Sequence, residues 1–225
     1  MASPLICVSV AARSAQYAVK LLSSLEGYAD LAEVRLDYAS GKIELDRIRA
    51  ATELPLIATN RMKEQGGLWR GDEEDRINLV LSALDAGMEY CDFEISATDH
   101  PRIVEEVHGR GSKLISSYHN FKGPLSLVEM EHVLNVSKAN KADVCKVIGF
   151  AHAYSDNVAC LSFLQRNPGN ICFALGAAGV PSRVLSPLVG GAFTYASAGE
   201  GDEVAPGQIT AKRMREIYKL MGVEP

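Results

Sequence analysis

Short apolar runs alternate with amphipathic stretches from one end of the chain to the other. The runs at 5–10 (LICVSV), 31–36, 55–60, 90–95, 113–118, 142–148, 170–175 and 192–196 have the length and composition of buried strands. Between them, 15–26, 43–52, 73–86, 100–109, 126–139, 155–165, 181–188 and 210–221 read as helices. In the third of these, Ile77, Val80, Leu81 and Leu84 recur at helical spacing and form one buried stripe. Strict strand–helix alternation points to an α/β fold, and eight such units in a chain of this size point to a (β/α)8 TIM barrel over residues 1–225 as a single domain. The competing architecture is an open doubly wound sheet. No Gly-x-Gly-x-x-Gly and no P-loop pattern follows any run, so the usual nucleotide site of that alternative is missing.

Two connections are long and glycine-rich, 61–72 (RMKEQGGLWRGD) and 197–210 (SAGEGDEVAPGQIT). Both follow strands, which in a barrel places them on the C-terminal face where active sites are built. Side chains alternate faces along a strand. Glu33, Arg35 and Asp37 therefore share one face of the second strand, opposite Val34 and Leu36. Asp92 and Glu94 share a face of the fourth, Ile115, Ser117 and His119 of the fifth, and Val144, Lys146 and Ile148 of the sixth. If the apolar faces pack on the helices, these charges point into the barrel. Buried charges persist when they pair or when they bind something. An internal ion-pair network of Glu33, Arg35, Asp92 and Glu94 is the structural alternative to a functional site.

Lys146 stands out because its run, Asp143-Val-Cys-Lys-Val-Ile148, is otherwise that of a buried strand. Burial disfavours an ammonium, and nearby cations do so further. A lysine that is neutral part of the time attacks ketones to form a Schiff base. Alone, it could equally be a side chain snorkelling from a strand end. Arg35, Arg61 and Arg183 stand near strand ends and suit a planar carboxylate.

Composition narrows the field. Hydrophobic residues are 47 % and charged residues 23 % of the chain, ordinary for a soluble globular protein. The net charge of −5 argues against broad nucleic-acid binding. No run is long enough to span a bilayer as a helix, and no signal peptide is expected at the start. The five cysteines (7, 91, 145, 160 and 172) include no C-x-x-C and are expected as reduced, buried residues of a cytoplasmic protein. Cys145 adjoins Lys146 but faces the other way, so no catalytic part is expected of it. The remaining histidines (100, 108, 132 and 152) form no H-x-H or H-E-x-x-H, which disfavours a metal hydrolase.

Taken in order, Glu33-Val-Arg-Leu-Asp37, Thr59-Asn-Arg61 with Gly66-Gly67, Asp92-Phe-Glu94, Ser117-Tyr-His-Asn-Phe121, Val144-Cys-Lys-Val147, Pro181-Ser-Arg183 and Ala205-Pro-Gly-Gln208 resemble type I 3-dehydroquinate dehydratase, and the resemblance spans nearly the whole chain. It implies a Schiff-base-forming hydro-lyase of the shikimate pathway and aromatic amino acid biosynthesis, without metal or organic cofactor. Lys146 would form the imine and His119 would act as general acid/base. Glu33, Arg35, Arg61, Arg183 and Gln208 would bind the small-molecule substrate, 3-dehydroquinate. Members of the family are often homodimers.

Two departures stand out. Many members carry Glu directly before the Gly-Gly pair, bonded to the catalytic histidine; here Gln65 holds that place, after Glu64. Many carry Ser before Ala-Pro-Gly-Gln; here it is Val204. The other readings of the same residues are a class I aldolase-like barrel, with Ala177-Ala-Gly179 as a thin phosphate cradle, and a non-catalytic barrel that binds a carboxylate.

Overall fold

A computed structural model describes residues 3–97 and 99–223. Eight parallel strands form one sheet in the order β7-β6-β5-β4-β3-β2-β1-β8. They are β1 (Ile6–Ala11), β2 (Leu31–Arg35), β3 (Leu56–Thr59), β4 (Tyr90–Glu94), β5 (Lys113–His119), β6 (Val144–Phe150), β7 (Ile171–Leu175) and β8 (Thr194–Ser197). The helices α1 (Ala15–Ser23), α2 (Leu45–Arg49), α3 (Glu73–Asp85), α4 (His100–Gly109), α5 (Leu127–Ala139), α6 (Asn157–Arg166), α7 (Val180–Leu185) and α8 (Ala211–Leu220) follow the strands in turn. This is the expected (β/α)8 architecture, a nearly closed barrel.

Closure is incomplete at one seam. Among the described residues no ladder joins β7 to β8. Near the N-terminal ends, Ala192 N donates to Asn170 O at 2.9 Å and Gly169 N to Gly190 O at 2.8 Å. Higher up, a side chain takes over: Arg183 Nη1 donates to Tyr195 O at 3.2 Å.

Two helices depart most from the pattern. The 43–52 stretch contracts to α2. The 181–188 stretch divides into α7 and a 3-10 turn over Ser186–Val189. Pro187 explains the division, because it has no N–H to give to Arg183 O, its partner four residues back. The Thr194 hydroxyl of β8 donates to that carbonyl instead, at 2.6 Å. The broken helix is thereby tied to the seam, with Arg183 at the tie.

The apolar strand faces pack outward. Val8, Val10, Ala32, Val34, Ala58, Cys91 and Phe93 join helix residues such as Ile77, Val80 and Leu84 in one cluster, and Cys145 and Val147 join α5 and α6 in another. Inside the barrel, Cys7, Leu31, Ile57, Ile115 and Ile171 make an apolar floor toward the N-terminal strand ends. All five cysteines are buried and unpaired with one another, as expected. No helix among the described residues is long and apolar enough to cross a membrane.

Candidate active site

The parity argument holds in register. Ser9 lies opposite Glu33, Thr59 opposite Asp92 and Ser117 opposite Lys146. All six are buried. They form a polar layer directly above the apolar floor, one strand step nearer the C-terminal mouth.

Lys146 Nζ projects into this layer. It donates to Asp92 Oδ2 at 2.9 Å, approaches Glu33 Oε1 at 3.6 Å, and lies 4.2 Å from the centroid of the Tyr195 ring. This corrects one expectation. The groups in direct contact with the amine are carboxylates and a π face, whereas only cations nearby were expected. The amine therefore sits in an ion pair. Glu33 is itself held by Ser9 Oγ at 2.8 Å and Thr59 Oγ1 at 3.0 Å.

Two of the three expected cations are already neutralised. Arg35 makes a two-pronged pair with Asp37, with both bonds at 2.8 Å. Asp37 also receives Leu68 N at 3.0 Å, which pins the 61–72 loop to β2. Arg61 bridges Asp92 at 2.8 Å, Glu94 at 2.9 Å and the Ser117 hydroxyl at 2.7 Å. Burial works against its charge, but Asp92 and Glu94 outweigh burial and hold the guanidinium firmly protonated. An internal ion-pair network does surround the lysine, but not with the members weighed from sequence: Arg61 rather than Arg35 joins Asp92 and Glu94, Arg35 pairs apart with Asp37, and Glu33 enters through Lys146.

Arg183 differs. It is 1 % exposed, and among the described residues its Nε and Nη2 have no hydrogen-bond partner. Its guanidinium carbon lies 4.3 Å from the Phe173 ring centroid. Burial alone pushes it down to about 9. A buried cation without a counter-charge is costly unless something anionic completes it.

His119 ends β5 in the same cavity. Burial is the main cause that holds its imidazole well below the usual range, aided by Arg61 and Lys146 and opposed by Asp92. It is therefore a neutral base near pH 7. Gln65 accepts from His119 N at 2.9 Å through Oε1, which lies 3.4 Å from Nδ1. The amide is oriented by its other end, which donates to Ser96 Oγ at 3.2 Å. An acceptor facing Nδ1 favours the proton there and leaves Nε2 free to take one. Phe121 stacks on the imidazole, with centroids 6.4 Å apart. That ring covers Gly66, which sits at φ +82° and has no room for a Cβ; at Gly67 a Cβ would meet the Arg61 carbonyl. The Gly-Gly pair is what lets the loop lie this close over the histidine.

The 197–210 loop closes the far side. Gly176 N donates to Pro206 O at 3.1 Å, and Tyr17 OH donates to Asp202 at 2.5 Å. Gln208 accepts from Val204 N at 2.8 Å and donates to Ser9 Oγ at 3.3 Å. One cavity of about 460 Å³, its open mouth included, is lined by every expected site residue: Glu33, Arg35, Arg61, His119, Lys146, Arg183 and Gln208. The sequence reading did not assign roles to Tyr195 and Phe173, which also line it. Both read as ordinary strand aromatics, and only register brings them inward.

Position 65 yields a prediction. In Gln65→Glu a carboxylate would face Nδ1 and favour the imidazolium. A reaction that needs neutral His119 then loses rate from a higher pH downward. The acid limb of kcat/KM is expected to move up by about one pH unit or more. A pH–rate profile identical to the parent would show that this position does not tune His119.

The model of the Type I 3-dehydroquinase family matches residues 6–225. A 3-dehydroquinate dehydratase of Dehalococcoides mccartyi is 37 % identical over 170 residues, covering 73 % of this chain and 75 % of its own. One from Desulfotalea psychrophila is 34 % identical over 224 residues, covering 97 % of this chain and 98 % of its own. Among solved structures, the 3-dehydroquinate dehydratase of Geobacillus kaustophilus superposes with a TM-score of 0.88 at 21 % identity, covering 97 % of this chain and 91 % of that one. That last likeness concerns the fold.

Proposed function

The chain belongs to the type I 3-dehydroquinase family, and from that premise we propose that it eliminates water from 3-dehydroquinate to give 3-dehydroshikimate through an imine on Lys146. The observation that carries this reading is a buried lysine sharing one cavity with a neutral imidazole and an uncompensated guanidinium. The three groups match a substrate that is at once a ketone, a β-hydroxy compound and a carboxylate.

The substrate carboxylate completes Arg183 and sets the ring in the cavity. Lys146, having given up a proton, attacks the ketone carbon. Loss of the carbonyl oxygen as water leaves an iminium, a far stronger electron sink than the ketone. His119 removes the proton from the adjacent carbon, and the electron pair is held as a neutral enamine. The enamine expels the β-hydroxyl, which takes its proton from the imidazolium. Hydrolysis of the product iminium takes up one water, which offsets the one lost in forming the imine, and frees the amine, so the net loss is one water. Asp92 faces this nitrogen throughout, 2.9 Å from it in the resting state, and serves as counter-ion to ammonium and iminium alike. Positioned acid/base catalysis is worth about 10²–10⁴-fold, and fixed orientation supplies much of the rest. Glu33, Arg35, Arg61 and Gln208 line the substrate's surroundings.

We place the reaction in the cytoplasm, in keeping with five unpaired buried cysteines. Residues 1–225 act as one catalytic domain, and a homodimer is the family expectation for its assembly.

Arg183→Gln tests anion recognition. Glutamine retains a donor for Tyr195 O but removes the charge. KM for 3-dehydroquinate is expected to rise by about 100-fold, the loss of charged hydrogen bonds worth roughly 1.5–3 kcal/mol each. The thermal midpoint should not fall, because a buried unpaired cation is removed. An unchanged KM would place carboxylate binding elsewhere.

A further inference from the structure

A charge buried outside the barrel wall is left unexplained by the mechanism. Arg76 lies on α3, next to the apolar stripe, and is 0 % exposed. Its Nε and Nη2 grip Glu73 of the same helix at 2.7 and 2.8 Å. Its Nη1 reaches over the end of β3, donating to Asn60 O at 2.7 Å and to Glu94 Oε2 at 2.8 Å. The Phe93 ring centroid lies 5.3 Å from its guanidinium carbon.

Both inner contacts bear on one residue. Asn60 immediately precedes Arg61 in the chain. Glu94 Oε1 accepts from Arg61 Nη1 at 2.9 Å and from Met62 N at 3.1 Å. Arg61 Nη2 holds Asp92 Oδ1 at 2.8 Å, and Asp92 Oδ2 holds Lys146 Nζ at 2.9 Å. The charges alternate in sign without a gap: Glu73, Arg76, Glu94, Arg61, Asp92, Lys146.

We infer that Arg76 is a positioning residue for the reaction, fixing through Glu94, Arg61 and Asp92 the place of the Lys146 amine. This rests on the imine reading above. Arg76 touches no substrate. A fork held at three points transmits position in a way that one contact cannot. An ångström of drift at the nucleophile is costly, about 100-fold in rate in well-documented cases. The groups that face the Lys146 amine are Asp92 of β4, Glu33 of β2 and Tyr195 of β8. Arg61 and His119 share its cavity. Losing the buried charge of Arg76 leaves Glu94 to Arg61 alone, which also pairs with Asp92, so more uncompensated negative charge remains beside the Lys146 amine and favours the ammonium.

The test uses Arg76→Met and Arg76→Lys in the full chain. It reads thermal midpoint, kcat and KM, and the pH dependence of borohydride trapping with 3-dehydroquinate. In Arg76→Met, kcat per folded protein is expected to fall at least tenfold with KM within about twofold. Half-maximal trapping should move to higher pH. Arg76→Lys retains the charge at Glu94 and so folds even if the methionine variant does not. It loses the three-point fork, so kcat should still fall severalfold while the trapping midpoint stays near that of the parent. Parental kcat in folded Arg76→Lys would overturn the inference, as would parental kcat and trapping pH in folded Arg76→Met. Arg76 would then merely tie α3 to the barrel. If the parent protein itself is not trapped on Lys146, it is the imine reading that fails.

Discussion

Replacing Lys146 with methionine abolishes dehydration while the barrel stays folded. The expected loss in kcat is on the order of 10⁴–10⁶-fold, as when the nucleophile of a covalent mechanism is removed. Removing one partner of a buried ion pair is often ruinous, because it strands the other charge. Here neither carboxylate is left without hydrogen-bond partners. Asp92 retains Arg61 at 2.8 Å and the Ser117 hydroxyl at 2.6 Å. Glu33 retains Ser9 and Thr59. Methionine fills nearly the same space and rests on the same Tyr195 ring. A stability loss of about 1–2 kcal/mol is expected, below the roughly 3–5 kcal/mol of a broken buried pair whose partner is left unbonded, read as a modest drop in thermal midpoint. Turnover that survives in a folded Lys146→Met protein would remove the imine from the mechanism.

The His119→Ala variant separates the steps that lysine alone can start from those that need a base. Its kcat should drop by about 10²–10⁴-fold. Imine formation needs the ketone and the amine, so it should persist, slowed. Borohydride then captures a heavier adduct, one that still carries the β-hydroxyl, where the parent yields a mixture with the dehydrated form. The mass difference is one water, which makes the outcome unambiguous. An alanine variant that traps only the dehydrated adduct would assign the elimination to another group. The fold should tolerate the change, because Gln65 keeps its bond to the backbone N–H at position 119.

Much of this was legible in the sequence because period and parity are local properties. The eight apolar runs give the strands. Alternation along them puts Glu33, Asp92, Ser117 and Lys146 inside, and register then aligns them. What alternation cannot tell is who pairs with whom. Lys146 and Asp92 are 54 positions apart, on strands either side of β5, and only the curvature of the sheet brings the carboxylate to the amine. For the same reason the partners of Arg35 and Arg61 could not be read; both prove to be neutralised, leaving Arg183 as the one of the three with donors to spare. The sequence did not single out Arg76. With Glu73 three residues earlier it has the spacing of an ordinary exposed helix pair. Its burial depends on reaching over Asn60 to a strand that comes later in the chain. The divided seventh helix had a visible sign in Pro187; the unpaired β7–β8 seam had none.

The direct measurement of the central claim is mass-spectrometric mapping after 3-dehydroquinate and borohydride are added together. The account expects one stoichiometric adduct, on the peptide carrying Lys146, absent when either reagent is omitted. No adduct would leave a barrel that only binds a carboxylate. An adduct on another lysine, or one formed only with a phosphorylated sugar, would contradict the assignment of this nitrogen to this reaction.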